Sequence, residues 1–301
     1  MRHIMHITEI LKKSSASVSF EFFPPKSEKA ASDLFSAIKE LEACAPTFVS
    51  VTYGAGGTTR DRTHELVLKI LSDTSIPPVP HLTCVGHSEA EIETILERYA
   101  QEGVGTVLAL RGDPPRDQPD YDRSTDSFHY AIDLVKFIKR FNDNQRHPGG
   151  SFGIGVAGFP EGHPETPNRM IEMDHLKAKV DAGADYICTQ LFFDNHDLFD
   201  FRDRCELAGI SIPIVAGIMP IASAAGMKRM AELAAGARFP AALIRRVQDF
   251  ADSPQDFAAA GIDYATEQCQ ELLDHDVAGL HFYTLNKSGA TLEITRRLGL
   301  A

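Results

Sequence analysis

The chain of 301 residues has little basic charge: 30 Lys and Arg stand against 42 Asp and Glu, a formal net charge of −12. A sequence-independent grip on nucleic acid or on an anionic membrane needs a basic face, so neither partner is expected; small anionic ligands need only local cations. Cysteine is sparse as well. Cys44, Cys84, Cys188, Cys205 and Cys269 lie far apart, form no C-x-x-C and have no neighbouring histidine at metal-ligand spacing. They read as reduced, mostly buried thiols of a cytoplasmic protein, and no metal is expected. No run is long and apolar enough to span a bilayer, and the N-terminal Met1-Arg2-His3-Ile4-Met5-His6-Ile7-Thr8-Glu9 has no sustained apolar core followed by a small-residue cleavage site. Linkers, repeats and low-complexity tracts are missing too, which makes one domain over 1–301 the expectation.

What is present is an alternation. Short Val/Ile/Phe-rich runs lie at about 17–23, 47–53, 79–84, 105–110, 152–157, 185–191, 212–218 and 279–283. Between them run segments of helical period at 28–43, 60–72, 88–102, 126–141, 169–182, 196–208, 222–235 and 240–273, with a last one at 290–298. Eight βα units predict an α/β chain folded as a (β/α)8 TIM barrel with extra helices before the eighth strand, an architecture of about 250 residues before insertions. A doubly wound open sheet is the rival, but it usually holds only about five or six strands.

One strand run carries a charge. Ser17-Val18-Ser19-Phe20-Glu21-Phe22-Phe23-Pro24-Pro25-Lys26 places Glu21 inside a β-prone apolar stretch that the two prolines end. Moving a carboxylate out of water is costly, and the ordinary relief is a raised pKa, which makes a proton donor. An edge-strand Glu pointing at solvent is the alternative. Other polar residues recur at the C-terminal ends of the predicted strands: Thr52 and Tyr53, His81 and Thr83, Arg111 and Asp113, Glu161 and His163, Gln190, and Asn286. Each alone reads as a cap or a solvated loop residue. In a (β/α)8 barrel those ends converge on one mouth, so together they predict one site.

Leu110-Arg111-Gly112-Asp113-Pro114-Pro115 opens a Pro- and Asp-rich loop reaching to about Thr125, longer than most βα connections. Such a loop suits a lid or a cofactor clamp: Arg111 can pair with a phosphate and Asp113 can accept hydrogen bonds from a heterocycle, unless the two pair with each other to stiffen a turn. Gly54-Ala55-Gly56-Gly57-Thr58-Thr59 precedes a helix and can hold an anion on backbone N–H groups, but it lacks the lysine of a P-loop and reads mainly as a tight turn. Glu161-Gly162-His163-Pro164-Glu165 is not read as a metal site, because Pro164 spoils the helical spacing a ligand pair needs.

Several of these phrases carry a resemblance. Val18 to Pro25, Phe48 to Ala55, Arg60-Asp61-Arg62-Thr63-His64, Pro80-His81-Leu82-Thr83-Cys84, Ala109-Leu110-Arg111-Gly112-Asp113, His163-Pro164-Glu165, Lys179 to Ala184, Thr189 to Asp194 and His281-Phe282-Tyr283-Thr284-Leu285-Asn286 resemble, in order and over nearly the whole chain, the bacterial methylenetetrahydrofolate reductases. The resemblance implies an FAD-dependent barrel that reduces 5,10-methylenetetrahydrofolate to 5-methyltetrahydrofolate with NADH or NADPH by a ping-pong route. It also implies a place in one-carbon metabolism and methionine biosynthesis, a homo-oligomer, and a chain without the C-terminal regulatory domain of eukaryotic members.

Carried over residue by residue, the resemblance makes Glu21 the general acid at nitrogen 10 of the folate. Asp113 lies beside the flavin ring, Gln190 on the pterin, and Lys287 where relatives place an arginine toward the folate tail. Thr52, His81, Arg111, Gly112, Ala157, His163, Glu172 and Lys179 match FAD positions, Glu172 replacing an aspartate. Phe159 stands where relatives have Tyr; Gly226 and Met230 stand where well-known members have Gln and a substrate-packing aromatic. These departures bear on affinity and donor choice. A pterin-binding barrel methyltransferase without flavin and a noncatalytic flavin- or folate-binding subunit are the rival readings.

Overall fold

Within each strand the side chains alternate between two environments, as the two-residue period of a β-strand requires. The computed structural model describes residues 6–13, 16–53, 57–115, 118, 120–234 and 236–301. Eight parallel strands close on themselves in sequence order: β1 (Ser17–Phe22), β2 (Phe48–Val51), β3 (Pro78–Thr83), β4 (Thr106–Leu110), β5 (Gly153–Gly158), β6 (Tyr186–Thr189), β7 (Ile214–Ile218) and β8 (Gly279–Tyr283), with β8 paired back to β1. The expected (β/α)8 barrel is therefore the fold.

Val18, Phe20 and Phe22 of β1, Val49 and Val51 of β2, Ile154 and Val156 of β5 and Leu280 and Phe282 of β8 point outward into one buried apolar layer. The helices α2 (Glu28–Leu41), α3 (Gly57–Asp73), α4 (Glu89–Glu102), α5 (Ala131–Asp143), α6 (Arg169–Asp181) and α7 (Asn195–Leu207) follow β1 to β6. Leu34, Val67, Leu96, Ile138, Leu176 and Leu198, one from each, are buried in that layer. Being covered on both faces, the strands read in sequence as near-continuous apolar runs.

The alternate residues fill the barrel. Phe48, Val79, Leu108, Tyr186, Cys188 and Val215 form an inner cluster, and Ile7, Ile10 and Leu11 of a helix that sequence reading omitted, α1 (Ile7–Lys13), plug its lower end. Gly153 and Gly155 make room: a Cβ on Gly153 would stand 2.5 Å from Ile7 Cγ2, and one on Gly155 2.5 Å from the Tyr186 ring. All five cysteines are buried and free.

Among the described residues three helices stand between β7 and β8, two more than the one a βα unit requires: α8 (Ala224–Leu233), α9 (Ala241–Gln248) and α10 (Pro254–Asp274). The segment expected as helix over 240–273 is broken, because Pro254 enters α10 at its first turn, where a missing N–H costs nothing, and its ring excludes continuation from α9. The helix expected over 126–141 likewise starts late, at Ala131, after a short 3-10 turn at Arg123–Thr125. The chain closes with α11 (Gly289–Arg297). Among the described residues no helix is long and apolar enough to cross a membrane.

Candidate active site

The inner face of β1 carries Ser17, Ser19 and Glu21, so the charged residue points into the barrel at its C-terminal end. Strand register sets Glu21 opposite Ser50 of β2 on one side and Tyr283 of β8 on the other, with Ser19 opposite His281. Glu21 Oε2 accepts a hydrogen bond from Ser50 Oγ at 3.4 Å and lies 3.3 Å from His81 Nε2 and 3.7 Å from His281 Nε2. His281 is fully buried, with Nδ1 2.8 Å from Ser19 Oγ, Nε2 3.2 Å from Ser50 Oγ and its ring stacked on Phe48. His81 Nε2 has no aligned hydrogen-bond partner among the described residues although it is buried. It is a polar atom in contact with charge yet still able to bond a ligand.

These neighbours reverse one expectation. Burial pushes the Glu21 carboxyl up, but the polar contacts and charge of His281 and His81 outweigh it and hold the pKa at about 2. In the site as folded Glu21 is a carboxylate, and any proton it delivers must first reach it from a neighbour. The sequence shows the cost of burying Glu21; it does not show which side chains β3 and β8 bring beside it.

A second group gathers where β4, β5 and α6 meet. Arg111 donates from Nη2 to Glu165 Oε2 at 2.5 Å and makes no pair with Asp113, so the two do not stiffen the turn as one reading of the sequence had it. Arg123 instead holds the turn through Gly112 O at 2.6 Å. Gly112 has φ +78°, and a Cβ there would lie 2.8 Å from Thr83 Cβ, so backbone shape and space both demand glycine. Asp113, next in the chain, is exposed. Lys179 donates to Ala157 O at 2.9 Å, and burial lowers its pKa to about 8 against the opposing charge of Glu172. The Glu172 carboxyl is raised, mainly by burial, and its Oε2 is buried without a hydrogen-bond partner among the described residues. Burial and the charge of Arg111 depress His163, whose ring meets Phe159 edge-on with centroids 4.6 Å apart.

The expected FAD would bring a diphosphate and sugar hydroxyls to this constellation. Two cations and a neutral-leaning histidine suit a diphosphate, and the orphan acceptor on Glu172 suits a sugar hydroxyl; the residues fit such a group. Residues 54–56 of the glycine run, and 116, 117 and 119 of the loop after β4, lie outside the described residues.

The remaining expected residues divide. Thr52 is half-buried and tied to β1 through its N–H to Phe22 O at 2.9 Å. Gln190 follows β6; its Oε1 accepts from Leu191 N at 2.9 Å, which leaves Nε2 for a ligand. Lys287 is exposed and makes no ion pair among the described residues. Met230 is 3% exposed and packs in an apolar cluster with Leu191 and Ile221, against which Tyr283 also lies, so it borders the mouth without presenting surface to it. Gly226 N donates to Ser223 Oγ at 3.0 Å in the first turn of α8. Glu161 is drawn away: its Oε1 accepts from the Arg238 backbone at 2.8 Å. Among the described residues no three His, Cys, Asp or Glu are arranged to hold a metal.

Sequence reasoning assigned no role to His281, Ser19, Ser50 or Tyr283, whose hydroxyl donates to Thr189 O at 2.7 Å. The signal was available. Ser19 stands two residues before Glu21, and His281 interrupts an apolar strand run as Glu21 does.

Comparison with known proteins points the same way. The family model described as Methylenetetrahydrofolate reductase matches residues 6–299. The 5,10-methylenetetrahydrofolate reductase of Escherichia coli is 36% identical over 285 residues, covering 94% of this chain and 90% of that protein. Methylenetetrahydrofolate reductase (NADH) 1 of Arabidopsis thaliana is 38% identical over 309 residues, all of this chain but only 51% of the plant protein. The chain thus spans about half the length of the plant relatives it matches. In structure it is similar, at TM-score 0.63 and 14% identity over 98% of this chain and 99% of the other, to a Clostridium thermocellum protein that binds two copies of 5-methyl-5,6,7,8-tetrahydrofolic acid, a likeness of fold alone. With its family model matched nearly end to end and a bacterial relative aligned over almost its whole length, this chain belongs to the methylenetetrahydrofolate reductase family.

Proposed function

We propose that the chain reduces 5,10-methylenetetrahydrofolate to 5-methyltetrahydrofolate with electrons from NADH or NADPH, using FAD in alternation with the two substrates. The observation that carries the reading is the contact of Glu21 with His81 and His281 at the mouth of the barrel, beside a cationic cradle. When bound, FAD supplies the hydride chemistry; the barrel supplies position and field. Arg111, His163 and Lys179 hold its phosphates, Glu172 a hydroxyl, and Thr52, His81, Gly112, Ala157 and Phe159 its remaining contacts.

The folate lies over the mouth with Gln190 on the pterin and Lys287 toward the acidic tail, and α8 with Met230 behind it. Covering the mouth removes water from Glu21, which strengthens the effect of burial and raises its proton affinity. A proton that reaches Glu21 then passes to nitrogen 10, whose bond to the bridging carbon breaks, and the five-membered ring opens to an iminium cation. Asp113, a carboxylate on the loop after β4, favours that cation. Without the proton, nitrogen 10 is a poor leaving group.

The test is Glu21→Gln, which keeps shape and loses the transferable proton. Reduction of bound flavin by NADH should persist within about twofold, while reoxidation by methylenetetrahydrofolate slows by about 10²–10⁴-fold. A folate half-reaction near the wild-type rate would remove Glu21 from this role.

A further inference from the structure

The hydrogen-bonded ladder between β1 and β8 ends at the pair Glu21 and Tyr283. The contact between the two chain segments nevertheless continues beyond it. Thr284 Oγ1 donates to Glu21 O at 2.7 Å, Asn286 Oδ1 accepts from Phe23 N at 2.9 Å, and Asn286 Nδ2 donates to Phe23 O at 2.8 Å. The side-chain amide thus pairs with both polar groups of one backbone residue, as another strand would, and adds a rung to a sheet that has run out of strand. The same residues form a turn: Lys287 N donates to Thr284 O at 3.0 Å, and the two central residues, Leu285 and Asn286, have φ of +50° and +60°. Left-handed backbone is unfavourable for a leucine, so this conformation persists only because its surroundings hold it. Asn286 N also donates to Thr284 Oγ1 at 3.1 Å, which links the turn to the Glu21 carbonyl.

Phe22 and Pro24 on either side are buried, but Phe23 itself is 41% exposed, so its backbone is held by these side-chain hydrogen bonds and not by packing of its own ring. Glu21 is two residues upstream and must meet His81, His281 and substrate at once. We propose that Asn286 is a positioning residue for Glu21: its paired hydrogen bonds to Phe23 lock the end of β1 to the turn after β8, and so fix where the Glu21 carboxylate stands over the mouth. The same turn carries Lys287 next in sequence, so tail-binding cation and acid are held on one rigid piece. Thr284 supplies the inner tie and Asn286 the outer one. The proposal rests on the reading of Glu21 as the acid.

Two variants separate the clamp from the turn. Asn286→Gly keeps a residue that adopts positive φ and removes both bonds; Asn286→Asp keeps the shape and the acceptor but sets a carboxylate oxygen against the Phe23 carbonyl. Both should bind FAD and be reduced by NADH within about twofold of wild type, while the limiting rate of reoxidation by saturating methylenetetrahydrofolate falls about 10- to 100-fold, the cost of a small misplacement of a reacting group. In a Glu21→Gln background Asn286→Gly should change that rate by less than about twofold, because residues acting through one group are not additive. Multiplicative losses in the double variant, or equal losses in both half-reactions, would assign Asn286 to stability alone and overturn the proposal. If wild type itself shows no folate half-reaction, the functional reading fails separately. Crystal structures of wild type and Asn286→Gly then decide the clamp: residues 21–24 displaced supports it, and residues 21–24 superimposing overturns it.

Discussion

Glu21→Gln offers a stability experiment as sharp as the kinetic one. A carboxyl whose pKa falls from its ordinary 4.5 to about 2 on folding is stabilised as the anion, by about 3 kcal/mol at 1.36 kcal/mol per pH unit. Because the folded-state pKa is the lower one, this contribution is complete above pH 4.5 and is lost as pH falls from 4.5 toward 2. The amide in the variant can still accept from Ser50 but carries no charge for His81 and His281. Glu21→Gln should therefore be less stable than wild type by about 2–3 kcal/mol at pH 7. The gap should narrow below about pH 4.5 and close near pH 2, while the other carboxylates titrate in both proteins and cancel in the difference. Urea unfolding of the flavin-free proteins at a series of pH values measures it. If burial dominated and the pKa were raised, removing the charge would stabilise the protein at pH 7. A variant as stable as wild type there, or more so, would refute the electrostatic description of the site.

Other expectations follow from single contacts. Burial holds Lys179 at about 8 in place of 10.5, so the unfolded chain binds that proton more tightly and wild-type stability rises as pH passes from 8 to 10.5. Lys179→Met should stabilise the flavin-free protein at pH 7 by about 1–2 kcal/mol in urea unfolding and weaken FAD retention on dilution; a loss of stability would contradict the assignment of burial as the cause. Gly112→Ala meets Thr83 and a positive φ together, so thermal unfolding should show a loss of about 1–3 kcal/mol, with FAD bound more weakly; an unchanged melt would mean the loop yields freely. Phe282 is fully buried between barrel and helices, so Phe282→Ala should cost about 3–5 kcal/mol with the folate half-reaction of the folded fraction unchanged; a loss of turnover without a loss of stability would place Phe282 in the site.

The architecture was legible because a closed parallel barrel leaves a strong trace: strands covered on both faces are apolar throughout, and Glu21 stands out for that reason. The bend between α9 and α10 was signalled by Pro254, which was read through as helix. The plug α1 was harder, since Ile7, Ile10 and Leu11 have meaning only against Phe48, Tyr186 and Val215 inside the barrel. In the site, sequence located Glu21, His81, Arg111, Gly112 and Lys179 at strand ends or on the helix that follows. It misjudged the ionisation of Glu21, because desolvation is a local property of a strand whereas His81 and His281 arrive from β3 and β8. Asn286 was visible as a polar strand-end residue, but its bonds to Phe23 depend on β8 closing against β1.

The central claim is that this chain passes electrons to a folate through a bound flavin with Glu21 as the acid. The direct measurement is the visible spectrum of the purified protein followed anaerobically, first with NADH and then with 5,10-methylenetetrahydrofolate. The account predicts about one FAD per chain, bleaching by NADH, and return of the absorbance with one 5-methyltetrahydrofolate formed for each flavin reoxidised. A protein that takes up no FAD, or whose reduced flavin the folate leaves bleached, would contradict it.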